Sequence, residues 1–437
     1  MKIMNKGQKL YKKGKKLIPG GTMLLSKRPE IFLPDKWPSY FSKAKGCEVW
    51  DLDKKKYFDM TIMGIGTNSL GYGNEEVDKA VKETISKGNM STLNCPEEVK
   101  LAERLIEINP WAQMVRFART GGEANSIAVR IGRAASGKDG VAVCGYHGWH
   151  DWYLSANHNN SDNLSDHLLP GLEPLGVPKS LSNTVFPFRY NDYDGLVELV
   201  NNNNIGVIKM EVMRNFKPKN DFLLKVRDLA NKKNIVLIFD ECTSGFRETF
   251  GGIFKKFNVI PDLVMFGKTL GNGYAITAVV GKKEVMEVAQ KTFISSTFWT
   301  ERIGPTAALK TLEIMEKIKS WEIITNLGLR VVSGWRKIAK ENKLKISVFG
   351  IPAISSYTFK TNNLINKTYI TQEMLKKGFL ASTNFYASTA HNDHFIDLYF
   401  EALNEVYKNI SKCVLQEKNL LDLLDGPVCH DGFYRLN

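Results

Sequence analysis

No stretch of about 18 apolar residues, the length a membrane-crossing helix needs, occurs in this 437-residue chain, so no membrane span is expected. Cysteine is sparse and scattered: Cys47, Cys95, Cys144, Cys242, Cys413 and Cys429 form no C-x-x-C pair. That spacing argues against a zinc site and a disulfide framework, and it suits a reducing cytoplasm. The charged opening, MKIMNKGQKLYKKGKK, is not followed by an apolar h-region, so no secretory signal is expected. His147 with His150, and His391 with His394, stand three apart. Neither pair has a cysteine or a third histidine nearby, so loop or packing roles are expected rather than a metal. Acidic residues are outnumbered, 46 against 60 basic ones, for a net charge of +14. The lysines are spread among asparagines instead of gathered with aromatics, so nucleic acid is not the expected partner. Nucleotide loops are missing too. Gly267-Lys268-Thr269 imitates the end of a P-loop, but the first glycine of that motif would fall on Asp262, and Gly64-Ile65-Gly66 has no glycine at position 69.

What is present has an ordinary globular composition, 43% hydrophobic and 24% charged, with enough chain for two or three compact units. Short apolar runs alternate with helical patterns. Helices are expected over residues 74–87 and 96–108, and another with Ala124, Ile127, Ala128 and Ile131 on one face. Strands are expected at Met114 to Phe117, Val141 to Cys144, Gly206 to Met210, Ile235 to Phe239, Leu263 to Phe266 and Thr277 to Val280. Asp221 is expected to cap a helix whose core face is Phe222, Val226 and Leu229. The strand-helix-strand order predicts right-handed crossovers in a mostly parallel sheet, hence an α/β fold. Cys47 to Asp53 and Tyr57 to Asp59 read as a hairpin. Residues 61–73 are glycine-rich and fit no regular element, and Trp149 to Phe188 reads as a long excursion near the site.

The most informative stretch runs from Asn234 to Gly273. Asp240 and Glu241 end one buried run, and Lys268 follows another. In parallel sheets the crevice outside the carboxyl ends of the strands takes the ligand, so the acid and the amine are expected to face one site. A carboxylate behind a pyridine nitrogen and a lysine that forms a Schiff base are what pyridoxal phosphate chemistry requires. By pattern alone, a strand-end cap and a surface lysine remain the alternative.

The segments RTGGEANSIAVRIGRAASGKD, GYHGWHD, FDECTSGFR and PDLVMFGKTLGNGYAITAVVG, in chain order, resemble the class III aminotransferases. Within that family they are most similar to the glutamate-1-semialdehyde 2,1-aminomutases. The likeness implies pyridoxal 5'-phosphate as cofactor and the fold type I architecture of these transferases. That is a seven-stranded-type sheet in a large domain over 61–310, with a smaller α+β domain from an amino-terminal arm and hairpin (1–60) and the carboxy-terminal part (311–437). It assigns Lys268 to the Schiff base, Asp240 to the ring nitrogen, Thr120, Gly121 and Gly122 to the phosphate, and Tyr146, of the Tyr146-His147 motif, to the ring face. Glu211 falls near the cofactor. Thr297 would reach the phosphate of a neighbouring subunit, which makes a homodimer with shared sites the expected assembly.

Two departures stand out. The aminomutase pattern has Ser or Thr where this chain has Gly122, and Thr300-Glu301-Arg302-Ile303-Gly304-Pro305 replaces the usual Ser-Gly-Asn-Pro, so that Trp299, Glu301 and Arg302 would redefine the substrate mouth. An aminotransferase moving an amino group from an amine donor to a small carbonyl acceptor is the expected function. The alternatives are the aminomutase that makes 5-aminolevulinate and a non-catalytic binding protein on the same scaffold.

Overall fold

The computed structural model describes residues 4–167, 172–213 and 215–431. It divides into two compact units, one joining the residues up to Asn74 to those from Ile323 onward, the other spanning Glu75–Glu322.

The second unit is built on a seven-stranded sheet. Its strands are β1 (Met114–Ala118), β2 (Gly140–Cys144), β3 (Val185–Pro187), β4 (Ile205–Glu211), β5 (Val236–Glu241), β6 (Leu263–Phe266) and β7 (Thr277–Gly281). They lie in the order β1-β7-β6-β5-β4-β2-β3. Every neighbouring pair from β6 to β3 is parallel, while β7 runs antiparallel to both β6 and β1. Strands β4 to β6 are buried along their whole length, which is why they read as unbroken apolar runs rather than alternating ones.

Helices cover the sheet. In the order of the chain they are α1 (Glu75–Ile85), α2 (Pro96–Ile108), α3 (Gly121–Ser136), α4 (Tyr193–Asn202), α5 (Phe222–Lys233) and α6 (Ile303–Ile318). Helix α3 buries Ala124, Ile127, Ala128 and Ile131 in one cluster with Val207, Ile238, Met265 and Val279 of the sheet, each isoleucine contributing about 1.5–3 kcal/mol. The expected Asp221 cap is not made. Asp221 stands at the N-cap of α5 in a left-handed conformation (φ 55°, ψ 30°), and its side chain forms no capping hydrogen bond. A capping side chain needs the extended backbone that an N-cap residue normally adopts. The excursion after Trp149 is not wholly irregular, since it contains the turns Asp151–Leu154 and Ser155–Asn157 and the edge strand β3.

In the other unit the expected hairpin is present as Glu48–Asp51 paired with Lys56–Asp59. The second of these strands pairs in parallel with Phe379–Leu380, so chain from both ends shares one sheet. Residues 61–73 include a short helical turn, Met63–Gly66, with left-handed residues inside it. A further antiparallel sheet joins Ile346–Phe349, Ile354–Phe359 and Asn384–Tyr386. Its core holds Trp335, Tyr357, Tyr399 and Tyr407, with Trp335 Nε1 donating to the Tyr399 hydroxyl at 2.8 Å. His391 lies in this unit, its Nδ1 accepting from Ser388 N at 3.1 Å and its Nε2 2.8 Å from the Asp59 carbonyl oxygen. Both ring nitrogens are therefore engaged by the backbone, a packing role.

Candidate active site

Three strand ends meet at one place. Register sets Glu211 of β4 opposite Asp240 of β5, and Glu241 opposite Phe266 of β6. Gly267 and Lys268 follow Phe266 directly. Lys268 opens the 3-10 turn Lys268–Gly271 with φ +42°, a backbone setting that costs a lysine about 1–2 kcal/mol and is typically stored at functional positions. Its Nζ donates to Thr243 Oγ1 at 2.9 Å.

Asp240 is buried, 3% exposed. Its Oδ1 accepts from Cys242 N at 3.0 Å, and its Oδ2 lies 2.9 Å from His147 Nδ1 and 4.0 Å from Lys209 Nζ. Burial alone would push this carboxyl up, but the Lys209 charge, the His147 contact and the Cys242 amide together hold it well below the usual carboxylate range. Burial pushes both His147 and Lys209 down. The imidazole is therefore the neutral donor to an ionised Asp240, and among the described residues its Nε2 has no partner. Lys209 has no exposed surface, and its Nζ also lies 3.0 Å from Met265 Sδ.

Glu211 turns toward the loop after β2, where its Oε2 accepts from Tyr146 N at 3.1 Å. Gly145 makes this possible. It has φ +112°, and a Cβ there would sit 2.7 Å from Glu211 Oε2, so only glycine fits without displacing the carboxylate. Tyr146 is 38% exposed, and its ring stands edge-on to Tyr153 at 6.5 Å. His147 turns inward to Asp240 and His150 outward to Ser126, so the two histidines do not converge.

The fourth component is the start of α3. Thr120 and Glu123 form a capping box, in which Thr120 Oγ1 accepts from Glu123 N at 3.4 Å and Glu123 Oε2 accepts from Thr120 N at 2.8 Å. The N–H groups of Gly121 and Gly122, in the first turn, have no intrahelical acceptor. Cys242 ties this corner to the lysine, because a Cβ on Gly121 would lie 3.8 Å from its Sγ and one on Gly267 would lie 3.3 Å from it. Cys242 therefore lies between the start of α3 and the residue that precedes Lys268.

Thr297 is exposed on the turn Thr297–Thr300. The neighbouring departures are taken up by the protein itself. Glu301 accepts from Ile303 N and Gly304 N at 2.7 and 2.9 Å and pairs with Arg119 at 2.8 Å. Arg302 makes a two-pronged contact to Glu97 at 3.1 and 2.8 Å. Trp299 Nε1 donates to Glu123 Oε1 at 3.3 Å.

A family model described as aminotransferase class-III matches residues 34–387. The 3-aminobutyryl-CoA aminotransferase of Cloacimonas acidaminovorans is 33% identical over 92% of this chain and 97% of its own. The chain belongs to the class-III aminotransferases. Another relative in this family, the glutamate-1-semialdehyde 2,1-aminomutase of Sulfolobus acidocaldarius, is 32% identical over 86% of this chain and 94% of its own. Among solved structures, the FumI protein of Sphingopyxis sp. MTA144 superimposes with a TM-score of 0.85 at 22% identity, covering 96% of this chain and 99% of that one. An omega-transaminase from Sphaerobacter thermophilus gives 0.82 at 20% identity, with 94% and 99% covered. Both show the fold, which is the fold type I architecture. As a class-III aminotransferase the chain is an enzyme whose cofactor is pyridoxal phosphate. The residues present suit that group: an amine, a carboxylate kept ionised without solvent, and first-turn N–H groups free to take an anion.

Glu241, next to Asp240, is set in the opposite sense. Burial pushes its carboxyl up to about 7, against contacts from Ser244 Oγ and Phe254 N that favour the ionised form. The native protein keeps this proton to about pH 7, whereas the unfolded chain releases it near 4.5. The corresponding stability is complete below 4.5 and is lost as pH rises to 7, about 3 kcal/mol in all. Glu241→Gln is expected to remove most of that loss. Urea unfolding at pH 5 and pH 8 checks it, and a wild type whose midpoint does not fall across this range would show that Glu241 ionises without cost.

Proposed function

We propose that this enzyme transfers an amino group between two separate molecules, from an amine donor to a small carbonyl acceptor, with Lys268 and Asp240 as its central pair. The observation that carries this reading is the buried, ionised Asp240 at the end of β5 beside Lys268 at the end of β6. Bound there, pyridoxal phosphate supplies an aldehyde for the amine and a ring that draws electrons from the substrate carbon. Lys268 would hold the group through its Nζ and would carry the proton to and from the substrate carbon. Asp240, oriented by His147 and charged beside Lys209, holds a proton on the ring nitrogen. Thr120, Gly121 and Gly122 hold the phosphate, Tyr146 covers the ring face, and Glu211 fixes the loop that carries Tyr146.

The assembly we propose is a homodimer in which Thr297 completes the partner's phosphate site. Thr297 is exposed in the single chain, and Phe293 and Phe298, near it in sequence, are 87% and 69% exposed, which leaves this turn open to a partner. A cytoplasmic setting is consistent with the six free cysteines. Among the described residues no helix is long and apolar enough to cross a membrane.

Half-reactions test the function. Glutamate, alanine and 3-aminobutyryl-CoA, the last because a 33% identical relative is named for it, are offered singly, and the cofactor spectrum is followed. At least one is expected to convert the cofactor to its amino form, which a carbonyl acceptor then reverses. The second reading, an aminomutase, is favoured by the aminomutase relative at 32% identity. It would be established if glutamate 1-semialdehyde alone reacted and gave 5-aminolevulinate with no external donor.

A further inference from the structure

The departures from the family pattern begin at the end of the turn that carries Thr297. That turn closes on itself, with Thr300 Oγ1 donating to the Thr297 carbonyl oxygen at 2.9 Å and Trp299 N donating to that of Ser296 at 3.3 Å.

Two side chains fasten the turn to the start of α3. Arg119, the residue before Thr120, extends its guanidinium to it, where Nη2 donates to the carbonyl oxygens of Trp299 at 2.9 Å and Glu301 at 3.0 Å, on either side of Thr300. Trp299 reaches back, its Nε1 donating to Glu123 Oε1 at 3.3 Å, while Glu123 Oε2 accepts from Arg119 N at 3.0 Å and Thr120 N at 2.8 Å. One carboxylate thus holds the first turn of α3 with one oxygen and the Thr297 turn with the other. Glu301 holds Arg119 in its turn. Its Oε1 lies 2.8 Å from Arg119 Nε as an ion pair, and the two side chains are mostly buried, 14% and 11% exposed. A Cβ on Gly304 would come within 2.8 Å of that oxygen and 3.4 Å of Arg119 Cζ, so glycine leaves the pair its room. A guanidinium presents its donors in a rigid fork, and three acceptors in fixed places leave it one orientation.

We propose that Arg119 is a positioning residue for Thr297, which together with Glu301 and Trp299 fixes the turn so that the Thr297 hydroxyl meets the phosphate held by the partner subunit. This rests on the reading of Thr297 as the group that completes the partner's phosphate site. A hydroxyl on an unsupported turn would have to be ordered when the anion binds, and that lost freedom would subtract from the affinity. The same ties attach one subunit's own phosphate residues, Thr120 to Gly122, and the threonine it lends to its partner to one guanidinium and one carboxylate.

Equilibrium dialysis of the full chain against pyridoxal phosphate and, in parallel, against pyridoxal isolates the contribution of the phosphate. Thr297→Ala is expected to lower the preference for pyridoxal phosphate about tenfold, through loss of a hydrogen bond to a charged group. Arg119→Met, which keeps the length and removes the donors, should lower it about three- to tenfold and leave pyridoxal binding unchanged. The variant with both changes is decisive. If Arg119 acts through Thr297, it should lose no more than Thr297→Ala alone, whereas independent losses would multiply to about thirty- to a hundredfold. Trp299→Phe keeps a ring and drops only the bond to Glu123. It should give a smaller loss with the same non-additivity, and it replaces Arg119→Met should circular dichroism show that variant misfolded. An unchanged preference in Thr297→Ala would mean that Thr297 meets no phosphate, and both readings would fall. If Thr297→Ala weakens the preference but Arg119→Met does not, or weakens both ligands equally, or the two losses multiply, only the role of Arg119 is wrong.

Discussion

Lys268→Ala should lower the rate of amino transfer by about 10²- to 10⁴-fold through loss of proton movement alone, with a further loss because the cofactor is no longer held covalently. Stability should change little, since alanine inherits the same positive φ and the hydrogen bond to Thr243 is between partly buried groups. The chain offers a fully buried amine, Lys209, for comparison. Lys209 Nζ is sealed between Asp240 and Met265 and has no exposed surface, so it cannot receive an aldehyde from the crevice. Borohydride reduction of the holoenzyme followed by peptide mapping therefore discriminates between the two. The label is expected on the peptide that contains Lys268, and it should disappear in Lys268→Ala. A label that persists in that variant, or that maps to Lys209, would remove Lys268 from the centre of the site.

The strands that place this site were legible because burial on both faces leaves an unbroken apolar run. Leu263–Phe266 and Val236–Glu241 match the runs read from the sequence to within two residues. Direction was not legible. Thr277–Gly281 shows the same apolar run as its neighbours, yet it lies antiparallel between β1 and β6, because apolar content records burial and not chain direction. The hairpin and α2 were also readable, the latter from an apolar stripe in which Leu101 and Leu105 are buried although Val99 is exposed.

What the sequence concealed was how individual side chains are used. Glu301 and Arg302, departures from the family pattern expected at the substrate mouth, have intramolecular partners in Arg119, the α6 backbone and Glu97 that the sequence did not indicate. The residues that went unassigned sit in ordinary-looking places. Lys209 was the detectable one, since a lysine inside a run otherwise buried on both faces needs a counter-charge, and Asp240 supplies it from the next strand. Thr243 and Cys242 give no such signal, because a threonine or a cysteine near a strand end is common without any ligand.

The pair of Asp240 and Lys209 carries the other large expected effect, and it separates chemistry from stability. Asp240→Asn should cost amino transfer about 10²- to 10³-fold, since a neutral amide cannot hold a proton on the ring nitrogen through its charge. It should also destabilise the fold by about 3–5 kcal/mol, because it strands Lys209 as an unpaired buried cation. Adding Lys209→Met replaces that cation with an apolar side chain of similar length beside Met265. The double variant should regain most of the stability in urea and none of the activity. Lys209→Met alone leaves Asp240 with His147 and the Cys242 amide but without its nearby positive charge, so the carboxyl should titrate higher. The stability that Asp240 supplies, present above the ordinary carboxylate range near 3.8 and lost as pH falls below it, should then shrink. If the double variant proves no more stable than Asp240→Asn, Lys209 is not the partner that keeps Asp240 ionised, and the charge at the end of β5 must be held by His147 and the backbone alone.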